Sequence, residues 1–250
     1  MCSATDLAPL LARLRGQPRV TVLTGAGVSA ASGVPTFRGA QGLWKRHRPE
    51  DLATPDAFAR DPALVWEWYG WRRHLIAGCE PNRAHIVLAA WSRRYAGFTL
   101  ITQNVDGLHE RAGTADVVRF HGSIWDVRCW QACGASPRQW RDDAVSLAST
   151  PPACPHCGGL LRPGVVWFGE GIDPRVLARS EAATHCDLFL TIGTSSLVYP
   201  AAGLVQQSRD RGAFTVEINP EATTLSAGVD LALRGPAEEV LDAIEQQLTA

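Results

Sequence analysis

Short apolar runs alternate along this chain with longer stretches in which apolar residues recur every three or four positions. Residues 20–23, 98–102, 117–120, 188–192 and 214–218 are brief, nearly continuous apolar runs, as expected of strands buried on both faces. Between them lie helical patterns. Residues 6–14 carry leucines at helical spacing. Asp61 before Pro62 marks a helix start, Asp as the N-cap and Pro in the first turn, and the pattern runs to Ala77 with Gly78 as its stop. Residues 82–95, 174–183, 200–209 and 236–248 complete the helices. Such alternation predicts an α/β fold, a doubly wound, mostly parallel, Rossmann-like sheet. From 127 to about 160 the periodicity lapses into cysteines and prolines. That stretch reads as an inserted module with too little core of its own to fold without a metal.

Polar residues collect directly after the apolar runs: Gly25-Ala26-Gly27, Gln103-Asn104 with Asp106, His121, Gly193-Thr194-Ser195 and Asn219. The carboxyl ends of parallel strands are where such sheets bind ligands.

Composition narrows the class. Of 250 residues, 46% are apolar and 20% charged, which is globular. The net charge of −1 leaves no electrostatic footprint for non-specific nucleic-acid or membrane binding. No apolar run is long enough to span a bilayer. The N-terminus lacks the basic-then-apolar pattern of a secretory leader, so a cytosolic address, with reduced thiols, is expected. In that setting the pairs Cys129/Cys133 and Cys154/Cys157 point to metal instead of disulfides. Four thiolates close a tetrahedral site, so the expected ion is a structural zinc. His156 could replace one thiolate, but four cysteines already suffice. Cys2, Cys79 and Cys186 are isolated and read as small buried or surface residues. The expected division is one domain over 1–250: a Rossmann-like part at about 1–39, 81–126 and 160–250, a helical module at about 40–80 and a zinc module at about 127–159.

Other signals are weaker alone. Gly25, Gly27 and Ala30 fit G-x-G-x-x-G/A, which permits a tight turn and close approach to a pyrophosphate, or is simply a structural turn. Glu50 or Asp51 lies at the distance of a ribose carboxylate, but neither follows a convincing second strand, so hydride-transfer chemistry fits poorly. His121 stands at a strand end and could serve as a general base near neutrality, or be a satisfied polar residue. Tyr69 and Arg72 share a helix face and together would make a carboxylate receptor; the alternative is a surface Arg beside a half-buried Tyr.

Taken together the motifs resemble the sirtuins. Gly25-Ala26-Gly27-Val28-Ser29 with Gly33-Val34-Pro35-Thr36-Phe37-Arg38 is similar to the family's NAD loop. Thr102-Gln103-Asn104-Val105-Asp106-Gly107-Leu108-His109 is similar to its nicotinamide-pocket signature, and His121-Gly122 to its catalytic histidine. Gly193-Thr194-Ser195 and Asn219 match its adenosine-side contacts. The chain resembles the class III branch, which removes acidic acyl groups, through Ala40, through Tyr69 and Arg72, and through Leu161-Arg162-Pro163-Gly164-Val165-Val166-Trp167-Phe168-Gly169-Glu170. The first cysteine pair is one residue longer than is usual in the family.

The resemblance implies an NAD-consuming protein-lysine deacylase that acts on acyl-lysine proteins, as a monomer. Cofactor contacts would come from Gly25, Ala26, Gly27, Ser29, Phe37, Arg38, Trp44, Gln103, Asn104, Val105, Asp106, Gly193, Thr194, Ser195, Asn219, Glu221 and Ala237. The Gly25–Gly27 amides and Ser29 would hold the pyrophosphate. The acyl oxygen would attack the nicotinamide ribose, and His121 would act as general base on the ribose hydroxyls. The products would be free lysine, nicotinamide and 2′-O-acyl-ADP-ribose. Ala40 would widen the acyl pocket, Tyr69 and Arg72 would select succinyl or malonyl groups, and Val166 and Phe168 would pair with the substrate backbone. An NAD-dependent ADP-ribosyltransferase, a deacetylase without acidic-acyl preference, a non-enzymatic NAD sensor and a zinc-ribbon DNA binder are the alternatives.

Overall fold

Nine strands form two sheets in the computed structural model, which describes residues 4–36, 47–134, 137–147 and 149–250. The chain opens with helix α1 (Ala4–Arg15), strand β1 (Val20–Thr24) and a 3₁₀ turn over Ala26–Ser32. Four helices follow: α2 (Pro49–Leu52), α3 (Pro55–Arg60), α4 (Pro62–Ala77) and α5 (Arg83–Arg94). Next come β2 (Thr99–Thr102), α6 (Leu108–Arg111), β3 (Val118–Arg119), β4 (Gly122–Cys129), β5 (Gln139–Arg141) and β6 (Leu161–Val165). The chain closes with α7 (Pro174–Ala183), β7 (Leu188–Ile192), α8 (Gly203–Asp210), β8 (Phe214–Asn219), β9 (Leu231–Arg234) and α9 (Ala237–Thr249). Among the described residues no helix is long and apolar enough to cross a membrane.

The larger sheet has the order β3-β2-β1-β7-β8-β9, every pair parallel. Its strands are apolar on both faces because helices cover both. Val20, Val22, Leu188, Leu190, Val216 and Ile218 face α1, α5 and α9, whereas Leu23, Ile101 and Phe189 face α8 and its neighbours. The strand order reverses between β1 and β7, and the crevice beyond their carboxyl ends is where sheets of this topology take ligands.

Capping explains the helix bounds. Asp61 accepts the Leu64 amide at the start of α4, and Asn82 accepts the Ala84 amide at the start of α5. Gly78 ends α4 in a right-handed conformation, so its role there is not to supply a left-handed turn.

The smaller sheet differs from the expectation of an irregular insert at 127–159. Strands β5, β4 and β6 are antiparallel, and they draw in residues 122–126 and 161–165 that the sequence pattern assigned to the Rossmann-like part. Its core joins the helical module: Phe58, Trp66, Tyr69, Ile124, Val127 and Trp167 form one buried cluster. Gly122 makes the junction possible. It adopts φ 77°, and a Cβ there would lie 2.2 Å from the Gly164 carbonyl oxygen. Strand β9 and the short helices α2, α3 and α6 were not expected, being too brief to show a period.

Candidate active site

The parallel strands deliver their polar ends to one edge. Gly25 follows β1, Gln103 and Asn104 follow β2, Gly193 to Ser196 follow β7, and Asn219 ends β8. Side chains stitch this edge together. Gln103 Nε2 donates to Thr194 Oγ1 at 3.0 Å, and Asn219 Nδ2 donates to the Thr194 carbonyl at 2.8 Å. Asn104 Nδ2 donates to Gly25 O and to Ser29 Oγ, each at 3.1 Å.

The glycines serve a purpose other than the expected one. The Gly25 amide donates to Ile192 O at 3.0 Å and the Gly27 amide to Gly193 O at 2.8 Å. A Cβ on Gly25 would meet Thr194 at 2.7 Å, and one on Gly27 would meet Gly193 at 2.8 Å. Both amides are therefore spent on joining two loops, not on a pyrophosphate. Ser29 is likewise fully buried, its hydroxyl donating to Asp106 Oδ2 at 2.8 Å. Ala26 is half-buried between them.

Asp106 is held from several sides. Its Oδ1 accepts the Leu108 amide at 2.9 Å, and its carbonyl accepts the Trp125 indole at 2.7 Å. Burial raises its carboxyl above the ordinary range, partly offset by the bonds from Leu108 and Ser29. Val105, half-buried, accepts the Ile124 amide on its carbonyl.

His121 sits between β3 and β4. Its Nδ1 lies 3.1 Å from the Gln103 carbonyl oxygen, which can only accept, so Nδ1 carries the hydrogen and Nε2 keeps its lone pair. Burial pulls its pKa below the ordinary histidine value.

Behind this edge lies a buried network in which His109, the last residue of the nicotinamide-pocket motif, meets a histidine that the sequence did not single out. His85 and His109 pack against each other with ring centroids 4.8 Å apart and planes tilted by 60°. His85 Nε2 is 3.4 Å from Ser29 Oγ, and His109 Nε2 is 3.0 Å from Thr24 Oγ1. Burial pushes both imidazoles down to about 3. A polar His85 one turn from Leu88, on the buried stripe of α5, is the signal that could have found it.

Tyr69 and Arg72 lie one turn apart on α4. Tyr69 is 2% exposed, and the Trp167 indole donates to its hydroxyl at 2.9 Å. Burial pushes its pKa up to about 12 although the Arg72 charge opposes that shift. Arg72 is half-buried, 5.1 Å from the Trp68 ring, and burial lowers its pKa. Val166 is half-buried and Phe168 exposed, but their amides donate to His121 O and Ala53 O, both at 2.9 Å. Backbone pairing with a substrate would thus fall to their carbonyls. Phe37, Arg38, Ala40 and Trp44 lie outside the described residues.

Two remaining expectations meet the structure differently. Ala237 is 3% exposed and packs in the main core. Glu221 is exposed, its carbonyl accepting from Arg234 at 3.0 Å. The ribose-carboxylate option fails for Asp51, which caps α2 by accepting the Arg48 amide.

Cys129, Cys133, Cys154 and Cys157 converge, with all four sulfurs within 4.8 Å of one another. Cys129 and Cys157 are 3.6 Å apart, Cys133 and Cys154 3.8 Å. Zinc bonded to four sulfurs at about 2.3 Å demands sulfur–sulfur edges of roughly 3.8 Å. The thiols thus fit zinc. His156 instead lies against Trp140, centroids 5.6 Å apart. The strand-end edge fits a polar nucleotide: Ser196 Oγ is buried there with no hydrogen-bond partner among the described residues.

The sequence model of the Sir2 family matches residues 25–200. An NAD-dependent protein deacylase of Aquifex aeolicus is 47% identical over 92% of this chain and 95% of its own. NAD-dependent protein deacylase 1 of Pseudomonas aeruginosa is 50% identical over 91% and 93%. Among solved structures, a Sir2 homologue in complex with NAD superposes with a TM-score of 0.90 at 45% identity, covering 97% of this chain and 93% of that one. A mutant Sir2 homologue in complex with 2′-O-acetyl ADP ribose also gives 0.90, at 44% identity and 96% coverage of both chains.

Proposed function

The chain belongs to the Sir2 family and is an NAD-dependent protein deacylase, and within that activity we propose that it removes succinyl or malonyl groups from lysine in preference to acetyl. One observation carries the preference. Tyr69 and Arg72 stand one turn apart in a buried part of α4, close enough for the cation to act on the phenol. A guanidinium and a hydroxyl side by side suit the distal carboxylate of an acidic acyl group. An acetyl group ends in a methyl and offers these two donors no charged acceptor, so it gains none of that charge-assisted pairing.

NAD, when bound, supplies an electrophilic ribose carbon with nicotinamide as leaving group. Gln103, Asn104, Gly193 to Ser195 and Asn219, at the carboxyl ends of the strands, would hold it at the switch point between β1 and β7. Ser29 and Asp106 would act from behind, through Asn104, because both are buried. His121 Nε2 would take the proton from a hydroxyl brought to it, while Gln103 fixes the ring through Nδ1. Zinc would hold the β5 turn and the cysteine loops, remote from the proton transfer.

The test is mass spectrometry of the purified protein with NAD and paired succinyl- and acetyl-lysine peptides. Faster succinyl removal with 2′-O-succinyl-ADP-ribose as product is expected. Acetyl removal alone would leave the deacylase standing and end the acidic-acyl assignment.

A further inference from the structure

The bond between the Trp167 indole and the Tyr69 phenol has a direction that chemistry imposes. An indole N–H can only donate, so at 2.9 Å the Tyr69 oxygen is the acceptor and its own hydrogen is left over. The cation that acts on the phenol, Arg72, also carries donors alone. Neither can take the phenol hydrogen, and the carboxylate that also acts on the phenol, Glu170, has both oxygens bound by Arg162 and accepts no hydrogen bond from Tyr69 among the described residues. Trp167 and Tyr69 are each 2% exposed, so bulk water is not at hand as a substitute. A buried hydroxyl flanked by donors calls for an acceptor, and a carboxylate is the strongest one an acyl group can bring.

We propose that Trp167 is a positioning residue for acyl selection: by occupying the Tyr69 oxygen, its indole N–H turns the phenol into an obligate donor toward the distal carboxylate. This rests on the reading that Tyr69 and Arg72 receive that carboxylate.

The indole is held firmly enough for the task. The Trp167 amide donates to Glu170 Oε2 at 2.8 Å. The Arg162 guanidinium stacks 3.4 Å from the indole centroid. Arg162, 3% exposed, binds both Glu170 oxygens, at 2.5 and 2.9 Å, and the Val165 carbonyl at 3.0 Å. Phe58 packs against the indole as well, ring centroids 5.3 Å apart. The residues flanking Trp167 are tied too, Val166 to the His121 carbonyl and Phe168 to Ala53. One short segment thus links the backbone at His121 to the Tyr69 phenol.

The experiment is steady-state kinetics on succinyl and acetyl forms of one peptide at saturating NAD. It compares the native protein with Trp167→Phe, Tyr69→Phe, the double variant and Arg72→Met. A further variant carries benzothienylalanine at 167, which keeps the fused ring and replaces the N–H by sulfur, and covers a folding defect in Trp167→Phe. The succinyl-over-acetyl ratio of kcat/KM is expected to fall about three- to tenfold when the indole N–H is lost, chiefly through the succinyl KM. The double variant should fall no further than Tyr69→Phe, because the indole acts through the phenol. An unchanged ratio in both 167 variants, with a lowered ratio in Tyr69→Phe, would overturn the role of Trp167 and leave the carboxylate reading intact. An additive double variant would also overturn it, reducing the indole to packing. A native ratio that shows no succinyl preference and does not respond to Tyr69→Phe or Arg72→Met would remove the carboxylate reading, and this proposal with it.

Discussion

The imidazole Nδ1 of His121 points at the Gln103 carbonyl oxygen, 3.1 Å away, and that one bond decides which ring nitrogen is basic. Burial lowers the pKa of the ring more than this bond raises it. As the proposed base His121 would be active when neutral, and it is neutral above its folded pKa. Activity through His121 is therefore present at and above the ordinary histidine pKa of about 6.5 and is lost only at lower pH. The acid limb of kcat/KM should have its midpoint below that value, and His121→Ala should lower turnover about 100-fold or more at every pH. A midpoint above 6.5 would falsify the assignment of Nε2 as a desolvated base.

Adjacent arginines on α4 should separate selectivity from stability. Arg73 is fully buried and donates to Ile124 O at 2.9 Å, Asp142 Oδ2 at 2.8 Å and Ala144 O at 3.0 Å, tying the helical module to the small sheet. Arg73→Ala should destabilise the protein by roughly 2–4 kcal/mol, since it strands those acceptors. Arg72→Met should instead cut desuccinylation far more than deacetylation. Urea melts alongside the two activities check the pair, and equal loss of both activities in Arg72→Met would count against its part in selection.

Zinc removal should uncouple the two sheets. The four thiols form a cage whose sulfur spacing suits one zinc ion, and the parallel sheet has its own core between α1, α5 and α9. A thiol-reactive mercurial should release about one equivalent of zinc and abolish deacylation. Far-ultraviolet circular dichroism should keep most of its helical signal. Global unfolding on zinc release would show that the parallel core does not stand alone.

His85 and His109 should make the fold acid-sensitive. Both are held neutral by burial, with pKa values of about 3 against about 6.5 in an unfolded chain. Above 6.5 neither state binds the protons, so these groups add no pH dependence. Between 6.5 and 3 the unfolded chain binds them and the native one does not, so stability falls as pH falls, by up to about 1.4 kcal/mol per pH unit for each group. Urea unfolding from pH 7.5 to 5.5 should show this slope, and His109→Gln should flatten it. An identical slope in that variant would place the protons elsewhere.

The parallel strands and long helices were legible because each carries its own period. Pro62–Ala77, Pro174–Ala183 and Leu188–Ile192 stand where caps and apolar runs place them. The four cysteines were legible because thiolate spacing constrains the metal directly, and the polar ends of the strands because a parallel sheet gathers them at one edge. The small sheet was not, because Gly122–Cys129 and Leu161–Val165 pair across a long intervening stretch whose described part holds only the three-residue β5 as regular structure, and neither alternates cleanly.

What could be read from residue order was local: periodicity, caps and motifs state what each segment wants regardless of its neighbours. Tertiary packing alone decided that the Gly25 and Gly27 amides are spent on Ile192 and Gly193, that Ser29 is buried against Asp106, and that Trp167 meets Tyr69 ninety-eight residues away. These are choices of partner. A donor or acceptor states only that it must be satisfied; which group satisfies it depends on what the fold brings within about 3 Å.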